Sequence, residues 1–166
     1  MITSVIGFIW SGYSSNDIDY EIFEYGNYNF KKISGKYVLD LEGKEYIFDN
    51  TPYELNDVSF ENFNIESDKY YILFDSKEKD VNMEYSIQKL YLVLNSLGIK
   101  VQLACSTEEG CDSILPIKNC EDYAFYFRKA DNAKLYKDNN CVVIEGDNYD
   151  ISREVDKIDL LLLKII

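Results

Sequence analysis

At 166 residues, 46% hydrophobic and 15% aromatic, the chain has too much apolar mass to stay disordered and enough length to bury one ordinary core. Acidic residues outnumber basic ones 30 to 17, and the net charge of −13 argues against a nucleic-acid binder working through a broadly basic face. The absence of histidine removes the commonest general base, and with it the Ser-His-Asp and Cys-His devices.

The N-terminal run Ile2 to Trp10 reads as a strand, and it lacks the basic flank of a secretory leader. Gly12-Tyr13-Ser14-Ser15-Asn16-Asp17 is small and polar, as turns are. Strand patterns follow at Tyr20 to Tyr25, Tyr28 to Ile33, Lys36 to Leu41 and Glu45 to Phe48. Gly26-Asn27, Ser34-Gly35 and Glu42-Gly43 punctuate them, which is hairpin chemistry and predicts an antiparallel meander. Residues 49 to 68 have no firm period and read as a connection pinned by Phe60 and Phe63. The first 66 residues hold 14 of the 25 aromatics, with 12 acidic against 4 basic residues, so they are expected to form a β-rich subdomain distinct from residues 67 to 166.

Tyr70-Tyr71-Ile72-Leu73-Phe74 is a continuous apolar run of the kind seen in strands buried on both faces. Met83, Ile87, Leu90, Leu94 and Leu97 then lay a stripe along one helix face, and Gly98 stands where a left-handed C-terminal cap belongs. Ile99 to Ala104 follows as a second strand, and a helical crossover of this length makes the two strands parallel. Further on, Tyr123 to Phe127 reads as a strand, and Ala133 to Tyr136 with Cys141 to Glu145 as a hairpin. Tyr149 to Lys157 reads as a short helix, and the apolar run Asp159 to Ile165 as a last strand. The predicted fold is α/β or α+β: an N-terminal antiparallel, aromatic-rich β-meander packed on a small Rossmann-like β-α-β core, forming one compact unit.

The four cysteines are separated by five, eight and twenty residues, without a C-x-x-C pair. Cys105, Cys111, Cys120 and Cys141 therefore admit three readings: buried apolar thiols, a disulfide, or an all-thiolate zinc site on irregular loops. Proximity favours a bridge between two of Cys105, Cys111 and Cys120. A catalytic thiol is disfavoured, because Glu108, Glu109 and Asp112 around Cys111 oppose thiolate formation.

Ligands of open α/β sheets sit at the carboxyl ends of the strands, which singles out Asp75, Asp80, Ser106 and Thr107. An aspartate there suits Mg²⁺, although no Gly-rich phosphate fingerprint accompanies it. Asp80 alternatively caps the helix beside it.

Two prolines, fifteen tyrosines and abundant Ile, Lys and Glu resemble the compositional habit of archaeal hyperthermophiles, whose intracellular proteins do use disulfides. No window reaches the roughly 18 apolar residues of a membrane span. The sequence thus leads to an expected cytoplasmic, non-enzymatic binding or regulatory module whose partner is a protein with a basic face, with neither nucleic acid nor membrane as target. The alternative is a Rossmann-like ligand-binding or Mg²⁺-dependent phosphoryl-transfer or phosphodiesterase domain at the strand ends. A weaker one is a metal or redox protein built on the cysteines.

Overall fold

The computed structural model describes residues 20–60 and 64–166. The predicted strand at residues 2 to 10, the polar loop after it and Phe63 lie outside them.

The first four strands are β1 (Glu21–Tyr25), β2 (Tyr28–Ile33), β3 (Lys36–Leu41) and β4 (Lys44–Phe48), joined in order as an antiparallel meander. Two-residue loops at Ser34-Gly35 and Glu42-Gly43 have positive φ at both positions, the backbone that matches the twist of a tight hairpin. Alternation sends Phe23, Phe30, Leu39 and Tyr46 to one face, where Phe30 and Leu39 are fully buried.

The second sheet contains β5 (Lys69–Phe74), β6 (Lys100–Cys105), β7 (Ala124–Lys129), β8 (Lys134–Asp138) and β9 (Cys141–Gly146), in the order β6-β5-β7-β9-β8. Its three central pairings, β5 with β6, β5 with β7 and β7 with β9, are parallel, and β8 closes one edge antiparallel to β9. Two helices, α1 (Val81–Ser96) and α2 (Asn148–Leu162), pack against one face of this sheet and against each other. Met83, Ile87, Leu90 and Leu94 of α1 and Ile151, Val155 and Ile158 of α2 meet Tyr70, Ile72, Phe74, Phe125, Phe127 and Ile144 there. The predicted stripe on α1 is therefore the core face, and Ile99 N–H bonds back to the Leu94 carbonyl across Gly98, which sits at φ 79°. Leu90 and Leu94 are fully buried, and truncating either to alanine is expected to cost about 2 to 5 kcal/mol. Urea melts that move by less than about 0.5 kcal/mol for both variants would contradict that packing.

The C-terminal expectation is corrected. Residues 159 to 162 continue α2 rather than forming a strand. Asp147 caps the helix start in a reciprocal box with Asp150, and the end closes with Ile165 N–H on the Leu160 carbonyl while Lys164 takes the left-handed position at φ 58°. The run is continuously apolar because this last turn is covered twice: Ile158 faces the sheet cluster, and Leu160 and Ile165 join Phe30, Leu39, Phe48 and Leu55 of the meander cluster. The meander thereby caps the helix layer. Tyr46 also donates to Ser96 Oγ at the end of α1, at 3.0 Å.

Candidate functional site

At the strand ends, where sequence placed a ligand, Asp80 and Asp75 are engaged in the protein's own contacts. Asp80 is the N-cap of α1, accepting Met83 N–H at 2.9 Å, and its other oxygen receives Lys129 Nζ from β7 and Asn148 Nδ2 from α2 at 2.9 and 3.0 Å. The Met83 amide and the Lys129 ammonium hold its carboxyl down at about 2. Asp75 accepts Lys77 N–H two residues on, a local turn. Ser106 N–H continues the β5–β6 ladder onto the Phe74 carbonyl, its Oγ is buried without a partner, and Thr107 is exposed. Asp80 is thus tied to β7 and α2, and none of Asp75, Asp80, Ser106 and Thr107 lines the cavity at the start of α2.

All four cysteines are bridged, as Cys105–Cys111 and Cys120–Cys141, with Cα separations of 6.0 and 5.1 Å. The reading that leaves two or four thiols free is corrected by this pairing. The first bridge does lie inside the cluster expected from proximity; the second joins the segment before β7 to the first residue of β9. Parallel pairing of β7 with β9 puts Ala124 beside Cys141, and the short segment before β7 brings Cys120 onto the same spot. Among the described residues, no three Cys, Asp or Glu side chains are grouped to hold a metal ion.

A charged cluster missed by sequence reading lies where the meander meets the helices. Lys89 of α1, with a side chain 6% exposed, bonds Asp156 of α2 at 2.5 Å and Asp49 after β4 at 2.6 Å. Asp156 Oδ2 also accepts the backbone amides of Asp49 and Asn50 and the Asn50 side chain, each at 2.9 Å. Burial alone would lower Lys89, but Asp156 and Asp49 outweigh it and raise its pKa. Burial opposes ionisation of Asp49 as well, yet Lys89 and Lys36 bring it down to about 2. One turn beyond Asp156, Asp159 is fully buried with Oδ1 unpartnered, and desolvation pushes its carboxyl well above the usual range. The cluster is a fastening between layers. The available signal was the pattern of charges inside apolar helix faces, Lys89 beside Leu90 and Asp156 and Asp159 around Ile158.

Two sheet faces carry exposed side chains among the described residues. On the outer face of the meander, Ile22, Lys31, Val38 and Ile47 stand in one row across all four strands, with Ile22 60% and Ile47 38% exposed. Exposed Glu24, Asp40 and Glu45 border the row on the same face, and none of the three makes an ion pair among the described residues. On the second face of the five-stranded sheet, Tyr71, Tyr126 and Tyr136 lie under Lys69 and Lys118, Arg128, and Lys134 respectively. Two of these cations are already neutralised, Arg128 by Glu145 at 2.9 Å and Lys118 by Asp122 at 3.2 Å. This face is not a free basic groove.

The last feature is a cavity of about 320 Å³ between the loop after β4, the start of β8 and the first turns of α2. Asp57, Ser59, Ala133, Asp150, Arg153 and Glu154 line it. Glu154 is 3% exposed and its Oε2 has no hydrogen-bond partner. Desolvation, helped by Asp150 nearby, raises its carboxyl to about 8. Arg153 Nη2 is committed to the Glu54 carbonyl and to Asp57, but its Nε is buried and unpartnered.

Compared with known protein families, curated proteins and solved structures, the chain matches none.

Proposed function

We propose that this protein is a non-enzymatic binding module whose partner is a protein presenting apolar side chains flanked by lysine or arginine. The outer face of the meander carries this reading: the row Ile22, Lys31, Val38 and Ile47, apolar except at Lys31, lies beside Glu24, Asp40 and Glu45, which make no ion pair among the described residues. Apolar contacts rimmed by charge are the ordinary composition of a docking patch. A basic partner matches the charge of the rim, and the net charge of −13 steers such a partner toward the protein from a distance. No helix among the described residues is long and apolar enough to cross a membrane.

The test uses a strand-forming peptide of alternating lysine and valine, titrated into isotopically labelled protein. The expected result is salt-sensitive shifts confined to amides of the Ile22, Val38 and Ile47 row and its acidic border. Glu24→Lys with Glu45→Lys is expected to weaken binding on the order of tenfold at low salt and less at high salt. Unmoved resonances on this face, or a response mapping elsewhere, would remove the reading.

A further inference from the structure

The meander face says nothing about the cavity at the start of α2, which has the marks of a second, chemically distinct site. Glu154 costs the fold something where it stands: a carboxyl almost wholly out of water, with one oxygen satisfied by nothing. Arg153 Nε, on the adjacent residue, is a second orphan of opposite polarity, since guanidinium N–H groups only donate. Both residues line one half-open space at the lower end of the size range of small-molecule sites, with the two orphan atoms set into its wall at under 1 Å² of exposed surface each. Two unmet hydrogen-bonding demands in a single cavity specify what would fill it: an N–H donor for Glu154 and an oxygen acceptor for Arg153.

The charges facing that space decide the sign of the ligand. Asp57 comes from the loop after β4, Lys134 from β8, and Asp150, Arg153 and Glu154 from α2. Against desolvation and Asp150, backbone hydrogen bonds from Glu145 and Lys134 draw the Glu154 carboxyl down in part, while the Glu145 charge adds to its rise. Arg153 is already paired with Asp57, and the Lys134 ammonium lies over the Tyr136 ring. Asp150 has no ion-pair partner among the described residues, and Glu154 becomes a further negative charge whenever it ionises. An anion would meet these carboxylates, with Arg153 paired to Asp57 and the Lys134 ammonium turned toward Tyr136 on the other face of the sheet. A divalent metal asks for six or more oxygens, and no ligand group of that kind is assembled here.

We propose that this cavity binds a small organic amine, its ammonium group donating to Glu154 Oε2 beside Asp150 and an oxygen on the same molecule accepting from Arg153 Nε. Ammonium binding requires Glu154 as carboxylate, so the ligand displaces a proton. The linkage has a definite sign. Below the free-state value of about 8 the affinity rises about tenfold per pH unit, and above it the affinity levels off.

The experiment titrates 4-amino-1-butanol, butylamine and butyrate into the intact protein between pH 6 and 9.5, following the Glu154 side-chain carboxyl carbon by NMR. The expected result is saturable binding of both amines with the stated pH profile, tighter for the amino alcohol, and no saturation by butyrate. Glu154→Gln, which keeps shape and removes charge, is expected to lose at least tenfold in amine affinity at pH 9. Should that variant fold poorly, Ser59→Tyr on the exposed rim closes the mouth and is expected to abolish binding without unfolding. Butyrate binding that weakens with rising pH would overturn the proposal. So would amine affinity unchanged in either variant, or the absence of saturation by any probe at millimolar concentration.

Discussion

Lys89→Ala is expected to destabilise the protein by about 3 to 5 kcal/mol, among the largest single-residue effects in the molecule. The loss goes beyond a missing aliphatic chain. Lys89 is the cation that balances Asp156, whose side chain is 0% exposed, and it shares Asp49 with Lys36. Without it, Asp156 stays buried with Asp49 and Asp159 as its charged or chargeable neighbours. Asp156 cannot simply turn away, because its other oxygen holds the backbone at Asp49 and Asn50 where the chain leaves β4. The distinguishing signature is pH. In the variant, the folded-state Asp156 carboxyl should lie further above its unfolded value, so the folded state binds a proton that the unfolded state has released. Stability lost at pH 7.5 is then partly recovered as pH falls toward 5. A simple cavity has no such dependence. Urea unfolding at the two pH values separates them, and a variant equally destabilised at both would show that packing, and not charge balance, is what Lys89 provides.

The cluster also marks the boundary of what the sequence discloses. Periodicity and turn chemistry are local, and they located the meander, the first parallel pair and α1, each end of which carries its own signal in Asp80 and Gly98. The end of α2 carries none. Lys164 adopts the left-handed conformation that glycine usually announces, and burial on two sides erases the helical period, so a helix turn resembles a strand. Proximity found the Cys105–Cys111 bridge, and the second pairing was missed for a topological reason. Cys120 and Cys141 are brought together by a parallel register between β7 and β9, and spacing along the chain does not encode it. The candidate sites divide in the same way. Asp80 was legible because a cap and a strand end are local features, whereas its links to Lys129 and Asn148 depend on the sheet order. Glu154 left a faint trace, an acidic residue flanked by Ile151, Val155 and Ile158 on a buried helix face. Its meaning as an unsatisfied group inside a cavity exists only once β8 and the loop after β4 close over it.

Removing the Cys120–Cys141 bridge by the pair Cys120→Ala and Cys141→Ala is expected to cost about 3 kcal/mol, against about 2 kcal/mol for Cys105→Ala with Cys111→Ala. The ordering follows from the lengths closed, 21 residues against 6, because a longer loop restricts the unfolded chain more. Neither variant should lose the fold. Cys105 N–H and C=O remain bonded to Pro116 and Lys118, and Asn140 remains bonded to the backbone at Cys120 and Glu121, so hydrogen bonds already hold the strands where the sulfurs meet. Cys141, 1% exposed beside Val143 and Ala124, gives up little volume to alanine. The segment from Ser106 to Tyr123 should feel the change most, since the two bridges fasten it at both ends. Thiol titration of the unreduced protein in denaturant is expected to return zero free thiols. Hydrogen exchange should then show loss of protection concentrated between residues 106 and 123 in the Cys120→Ala, Cys141→Ala protein. Two or more titratable thiols before reduction, or a double variant within about 0.5 kcal/mol of the parent in urea, would dismiss the bridge as a stabilising element.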